Sequence, residues 1–148
     1  MTSDVLFLQH VDDMRIVLDT NVIVSGLLWK GQTKTLFDLI DRKVLTICLT
    51  PNMIGEIERV FAYPKLAKQL AIADIRTAQI ISYLLEHSFL FQDENLVRVV
   101  TDDPSDDLFI NGAIVSGARW IISGDSHLLN IKKFNSINIV SPSVFLRQ

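Results

Sequence analysis

The sequence predicts an α/β fold, in which a central parallel β-sheet is flanked by helices to form an α/β/α sandwich. Short apolar runs of strand length alternate along the chain with longer segments of helical periodicity. Two of the runs, 16–18 and Trp120–Ile122, are followed closely by Asp19 and Asp125. Alternating strands and helices favour a parallel sheet, and ligands bind beyond the carboxyl ends of its strands. The pattern therefore predicts both the fold and the edge of the sheet that carries a site.

The composition indicates one folded domain. Of the 148 residues, 49% are hydrophobic and 21% are charged, and a chain of this length can bury one sizeable core. The formal net charge is −3, so the protein as a whole does not attract nucleic acid. Binding nucleic acid would require a local basic surface or bound metal ions, which disfavours a simple DNA-binding module.

The single cysteine and the apolar segments limit the class of protein further. Cys48 cannot form an intrachain disulfide, and its apolar surroundings predict a buried thiol. The chain has no secretory signal pattern and no uninterrupted apolar stretch of the roughly 18 residues that a membrane helix needs. We expect a cytoplasmic protein in which residues 1–13 are an N-terminal extension and 14–148 are the folded domain.

The first 50 residues contain two predicted strands and two predicted helices. The short apolar runs 16–18 and 45–49 indicate strands, and the apolar segment 21–28 indicates a short helix. Residues 33–42 have the periodicity of an amphipathic helix. The apolar positions of this helix are Leu36, Phe37, Leu39 and Ile40.

The middle of the chain predicts two helices. Thr50 is a favoured N-cap and Pro51 suits the first helical position, so a helix begins there. We expect it to run to about residue 62 and to end before Pro64. Residues 72–87 predict a longer amphipathic helix.

The second half of the chain continues the alternation. Residues 89–91 and 96–100 are both strand candidates, and the sequence does not decide whether both form. Residues 105–117 predict a helix that is capped by Ser105 or Asp106. The remaining predicted elements are strand Trp120–Ile122, a short helix at 125–130, strand Ile137–Val140 and a final helical turn at Pro142–Leu146.

Asp19 is the first candidate functional acid. It ends the first strand and is followed by Thr20 and Asn21. The structural alternative is a helix N-cap, for which aspartate is favoured, and capping does not prevent an aspartate from binding a metal ion. Asn21 adds a second polar group to the same gap, so we interpret Asp19 as functional.

A second pair of acids lies on the helix after Pro51. Glu56 and Glu58 flank its apolar stripe on opposite sides, because successive residues are separated by about 100°. Only one of the two can face a given cleft, and periodicity does not indicate which one.

Acids are concentrated again near Pro104, where four carboxylates occur within six residues. Acids gather at helix N-termini for capping and for interaction with the helix dipole, which is the structural alternative. Their mutual repulsion is nevertheless readily relieved by a cation, which indicates a metal site. The four are Asp102, Asp103, Asp106 and Asp107.

Asp125 occupies the same place after its strand as Asp19 does after the first. The structural alternative is a capped turn before the next short helix. Because the carboxyl ends of parallel strands share one edge of a sheet, we expect Asp19 and Asp125 to belong to one acidic site. His127 is close in sequence, but a single histidine in such a place is more often a surface residue.

Four sequence blocks together resemble the PIN domain family. They are Leu-Asp-Thr-Asn-Val at 18–22, Glu-Ile-Glu-Arg-Val at 56–60, Asp-Pro-Ser-Asp-Asp at 103–107 and Ser-Gly-Asp at 123–125. More closely, residues 14–146 are similar to the PIN-family toxin components of bacterial and archaeal toxin–antitoxin systems. The resemblance implies a single PIN-like domain and a ribonuclease that depends on Mg²⁺ or Mn²⁺.

The resemblance also implies site residues and partners. It selects Glu56 over Glu58, and it places His127 where the subgroup often has aspartate. It implies an RNA substrate, a cognate antitoxin protein and a homodimer. The implied catalytic and metal-binding residues are Asp19, Glu56, Asp107 and Asp125, supported by Asn21, Ser123 and Asp103.

Two further expectations concern binding and the competing function. Lys30, Lys34 and Arg59 are candidate RNA contacts, although a solvated surface role is at least as common for such residues. A phosphatase of the haloacid dehalogenase type needs a second acid two residues after the first, and that place is taken by Asn21. The remaining alternative is a catalytically weak PIN-like module that binds RNA or protein.

Overall fold

The computed structural model describes residues 14–28, 32–94, 96 and 104–147, apart from the side chains of residues 28, 104 and 105. Within this part of the chain, six strands form one sheet that is flanked by helices. The predicted α/β architecture is confirmed. The strands are β1 (Arg15–Leu18), β2 (Thr46–Leu49), β3 (Ser88–Leu90), β4 (Trp120–Ile122), β5 (Lys133–Phe134) and β6 (Ile137–Val140).

The sheet order β3-β2-β1-β4-β6-β5 determines where a site can form. All neighbouring strands are parallel except β5 and β6, which pair antiparallel. The chain runs outward from β1 to β3 and later resumes on the other side of β1 with β4. The strand order therefore reverses between β1 and β4, and such switch points open a crevice at the carboxyl ends of the strands.

The helices surround this sheet in chain order. Their bounds agree with the prediction within a few residues, except in the middle of the chain. They are α1 (Thr20–Leu28), α2 (Gln32–Asp41), α3 (Pro51–Phe61), α4 (Pro64–Ile72), α5 (Thr77–Glu86), α6 (Pro104–Ser116), α7 (Ser126–Ile131) and α8 (Pro142–Leu146).

The middle of the chain differs from the prediction because it contains a helix, α4, that was not predicted, and a turn that separates α4 from α5. Pro64 takes the first position of α4, as proline readily does. Asp74 has a φ of 56°, a left-handed conformation that helices commonly adopt just after their last turn. The predicted helix 72–87 is therefore wrong in its first turn, and α5 begins only at Thr77.

Two further differences concern strands. The short β5 was not predicted, and it pairs with β6 across a turn in which Asn135 has a φ of 53°. Asparagine tolerates this conformation better than most residues. The strand candidate 96–100 lies outside the described residues, apart from residue 96.

The core lies around the central strands. Residues 16–18 of β1 and 47–49 of β2 are fully or almost fully buried, and both strands pack against α6, which in turn packs against α3. Cys48 is buried as predicted, and burial raises the pKa of its thiol. Of the described helices, none combines the length and apolar content needed to cross a membrane.

Candidate active site

Asp19 is fixed by hydrogen bonds from both sides of the crevice between β1 and β4. Its Oδ1 accepts a hydrogen bond from the backbone N–H of Val22 at 2.9 Å, so Asp19 caps α1. Its Oδ2 accepts a hydrogen bond from the hydroxyl of Ser123. Its backbone N–H donates to the carbonyl of Ile122 at 3.1 Å and extends the β1–β4 ladder by one residue. The carboxylate is thereby held at the carboxyl end of the sheet with only 3% of the residue exposed.

The segment after β4 supplies the second part of the site. Ser123 is completely buried and its Oγ also accepts a hydrogen bond from the backbone N–H of Asp125 at 2.9 Å. Asp125 caps α7, since its Oδ1 accepts a hydrogen bond from the N–H of His127 at 3.2 Å. The structural and functional interpretations of both capping aspartates are therefore compatible, as the sequence suggested.

One cavity of about 390 Å³ connects these residues with α3, α4 and α6. Its walls carry acids from four separate elements or their ends. They also carry polar groups, two cations and an exposed aromatic ring. The polar lining consists of Asp19, Glu56, Asp106, Asp125, Thr20, Asn21, Arg59, Lys65 and Tyr63.

The two acids of α3 are separated as the helix geometry requires. Glu56 lines the cavity, whereas Glu58 is exposed and is not part of the lining. Both carboxylate oxygens of Glu56 accept hydrogen bonds from Arg59, from Nε at 3.0 Å and from Nη2 at 2.6 Å. Arg59 also donates from Nη1 to the hydroxyl of Tyr63, and its guanidinium lies 5.4 Å from the ring centroid.

The structure differs from the sequence prediction at α6. Asp106 is buried and lines the cavity, whereas Asp107 is half-buried and does not. The reason is helical rotation: Asp106 shares a face with Phe109, another lining residue, and with the buried Ile110. Asp107 is turned away from that face by about 100°, so Asp106 is the acid that α6 brings to the cavity.

Burial dominates the electrostatics of Asp19. Loss of solvent raises the pKa of the Asp19 carboxyl above its ordinary value. The hydrogen bonds from Ser123 and from the Val22 N–H oppose this effect, and the negative charge of Asp125 adds to it. A cation bound nearby would stabilise the ionised form of Asp19.

The lining fits a divalent ion in its chemistry, although the ligands are not yet gathered. Carboxylate, hydroxyl and amide oxygens are the donors that Mg²⁺ and Mn²⁺ prefer. The buried Oγ1 of Thr20 has no hydrogen-bond partner among the described residues, and Thr20 lines the cavity. Within those same residues, no three acids, histidines or cysteines form a ready-made metal site. Binding an ion would therefore require side-chain movement.

The remaining predicted residues fall outside the cavity or outside the described part of the chain. His127 is exposed and is not part of the lining, and Lys34 pairs with Asp38 at 3.6 Å on α2. Asp103 and Lys30 lie outside the described residues. Thr20, Tyr63 and Lys65 line the cavity although sequence reasoning did not select them as site residues. Asp106 lines it although the sequence placed it only within the cluster of four acids and the family resemblance selected Asp107.

A signal for some of these residues was present in the sequence. Thr20 directly follows Asp19, and Asp106 belongs to the cluster of four acids that indicates a metal site. Tyr63 and Lys65 had no such signal, because their position depends on how α4 follows α3.

Comparison with known proteins gives a family for most of the chain. A family model described as "PIN domain" matches residues 15–127 of the chain, which includes β1, the acids of α3 and α6, and the Ser123–Asp125 segment. No curated protein shows significant similarity to the chain.

Proposed function

Because this chain belongs to the PIN domain family, whose members are generally nucleases, we propose that it is a metal-dependent endoribonuclease. The observation that carries the proposal is the single cavity lined by Asp19, Glu56, Asp106 and Asp125. These acids come from distant parts of the chain and line one cavity at the strand-order reversal, where α/β proteins bind ligands.

Each acid has a role in this proposal. Asp19 and Asp106 are the principal ligands of Mg²⁺ or Mn²⁺, and Asp125 completes the site. Glu56 binds through water or orients the attacking water. When bound, the ion makes that water more acidic and neutralises charge on the phosphate.

The supporting residues keep the acids in position. Ser123 and the Val22 N–H hold the two oxygens of Asp19, which limits its rotation before an ion binds. Asn21 and Thr20 line the same cavity and supply neutral oxygen donors to the ion or to its water. Asp106 takes the place that the family resemblance assigned to Asp107.

The cations of the cavity support a nucleic-acid substrate. Arg59 and Lys65 can contact phosphate groups, and the ring of Tyr63, which is 46% exposed, can stack on an unpaired base. A protein with a net charge of −3 needs a local basic surface to bind nucleic acid, and these two cations of the cavity provide one.

The proposal includes a biological role as the toxin of a toxin–antitoxin pair. This role is supported by the resemblance of residues 14–146 to PIN-family toxins, and it brings with it a cognate antitoxin and a homodimer. Production of the wild type should arrest growth, whereas an Asp106→Asn variant should be tolerated. Arrest by both proteins would contradict a toxin that acts through cleavage.

The experiment that tests the activity is cleavage of mixed structured and single-stranded RNAs with Mn²⁺ or Mg²⁺. Asp106→Asn and Asp107→Asn form a matched pair, since they make the same chemical change on adjacent residues. We expect EDTA to stop cleavage and Asp106→Asn to lower the rate by at least about 100-fold. Asp107→Asn should retain most activity, and the opposite ranking would return the catalytic role to Asp107.

A second candidate function is a catalytically weak module that binds RNA. It is favoured by the finding that no three acids among the described residues are gathered for an ion. RNA binding without cleavage by folded wild-type protein, at any concentration of Mn²⁺, would support this function and contradict the nuclease.

A further inference from the structure

The carboxylate of Glu56 is already occupied by a cation from its own helix. Arg59 donates to both oxygens, at 3.0 and 2.6 Å, which is the two-pronged arrangement in which arginine binds a carboxylate most strongly. The side chain of Glu56 is 14% exposed and that of Arg59 is 53% exposed. A metal ion that approaches Glu56 therefore competes with a guanidinium for the same two atoms.

Arg59 has a second attachment that does not depend on Glu56. Its Nη1 donates to the hydroxyl of Tyr63, one helical turn later, and its guanidinium lies over the ring of that residue. Both residues line the cavity. If the Glu56 carboxylate moves away, Tyr63 still holds the guanidinium beside the cavity. The two nitrogens that donated to Glu56, Nε and Nη2, are then free to donate to another group.

The neighbouring acid Asp19 is held differently. Its oxygens accept hydrogen bonds from neutral donors, which are the Ser123 hydroxyl and the backbone N–H groups of Val22 and Gly124. Glu56 differs because its partner is positively charged. Release of Glu56 from Arg59 is thus one movement that gathering the acids around an ion would require.

We propose that Arg59 is a positioning residue that occupies Glu56 in the ion-free protein and turns to a substrate phosphate when a divalent ion binds Glu56. The inference rests on the proposed nuclease function. The exchange keeps every charge paired: the ion replaces the guanidinium on the carboxylate, and the phosphate replaces the carboxylate on the guanidinium. Arginine suits this role because its planar fork matches carboxylate and phosphate equally well.

The first test measures metal binding without RNA. Mn²⁺ is titrated into the full chain and followed by calorimetry and by the loss of the free-ion electron paramagnetic resonance signal. The proteins compared are the wild type, Arg59→Ala, Glu56→Gln and the double variant. Lys65→Ala is the matched control, because Lys65 lines the same cavity and makes no ion pair within the described part of the chain.

We expect Arg59→Ala to bind Mn²⁺ about three- to fivefold more tightly than the wild type, as loss of a partly exposed ion pair allows. Lys65→Ala should change the affinity less than about twofold, and the gain from Arg59→Ala should disappear in the Glu56→Gln background. Two outcomes would overturn the exchange. One is an equal gain in Mn²⁺ affinity from Arg59→Ala and Lys65→Ala, and the other is a gain from Arg59→Ala that persists in the Glu56→Gln background.

The same titration separates this inference from the proposed function. If the wild type binds Mn²⁺ and Arg59→Ala binds it no more tightly, the exchange alone is overturned. If neither the wild type nor any variant binds Mn²⁺, the metal-dependent function is overturned together with the exchange.

The second test concerns the phosphate. At saturating Mn²⁺, Arg59→Ala should raise the KM for RNA by about tenfold and change kcat much less, and Arg59→Lys should restore part of the loss. An unchanged KM would overturn the transfer of Arg59 to the substrate.

Discussion

The hydroxyl of Ser123 donates a hydrogen bond to Oδ2 of Asp19, although 104 residues separate the two in sequence. The contact exists because Leu18 and Ile122 are paired in the register of β1 and β4, so the residues that follow them emerge side by side. Ser123 also accepts a hydrogen bond from the N–H of Asp125. One buried hydroxyl therefore links the two strand ends that carry acids.

Ser123→Ala should weaken both the fold and the site. The substitution leaves Oδ2 of Asp19 and the N–H of Asp125 without their partner, which should lower the free energy of unfolding by about 1–3 kcal/mol. Because Ser123 orients a proposed metal ligand, Mn²⁺ affinity should fall by about 10–100-fold. Urea unfolding and Mn²⁺ titration measure the two effects.

Ser126→Ala is the control for this prediction, since Ser126 is exposed at the start of α7. It should change stability by less than about 0.5 kcal/mol. If the two variants were equally stable, the hydrogen bond to Asp19 would contribute nothing to the fold.

Asp19→Asn should stabilise the ion-free protein, and more so at higher pH. Burial raises the pKa of Asp19 above its ordinary value of 3.8 in the folded state. Protonated Asp19 therefore contributes its full share to the free energy of unfolding at pH values below its unfolded-state pKa. This contribution is lost as the pH rises through the raised pKa of the folded state. The amide avoids this loss and can still accept from the Val22 N–H. Urea unfolding in EDTA near pH 4 and near pH 7.5 measures the difference.

Glu58→Gln removes an exposed carboxyl from α3 and serves as the comparison for Asp19→Asn. Its effect on stability should be small and nearly the same at both pH values. The prediction for Asp19 is contradicted if Asp19→Asn destabilises the protein to the same degree at both pH values.

Thr20→Val should separate stability from function. The buried Oγ1 of Thr20 has no partner within the described residues, so replacing it with a methyl group of similar size should raise the free energy of unfolding by about 1 kcal/mol. If the hydroxyl serves an ion or its water, Mn²⁺ affinity and cleavage should fall by about tenfold. A variant that is more stable and fully active would argue for a dispensable hydroxyl.

Local patterns in the sequence predicted most of the fold. Short apolar runs indicate the strands, and a period of 3.6 residues indicates the helices, without reference to distant contacts. The start of α3 is likewise predicted from two adjacent residues, the N-cap Thr50 and the proline after it. The prediction failed where one residue's backbone conformation decided the outcome. Asp74 and Asn135 have left-handed φ values, and neither residue type requires that conformation.

The residues of the candidate site also differ in whether the sequence alone predicts their position. Asp19, Ser123 and Asp125 are predictable because they end neighbouring parallel strands, whose carboxyl ends share one edge of the sheet. The choices between Glu56 and Glu58, and between Asp106 and Asp107, are not predictable from periodicity. Each depends on the rotation of a helix about its axis, which only packing against the rest of the protein determines.

The sequence by itself determined the types of the main elements, the parallel sheet, and the placing of acids at the ends of β1 and β4. Only the tertiary structure decided that Asp106 faces the cavity and that Glu56, Arg59 and Tyr63 line it together with the acids of the strand ends. The physical reason is that the hydrogen bonds between neighbouring strands fix the positions of the strand ends. A side chain on a helix obtains its direction from contacts made by residues far away in the chain.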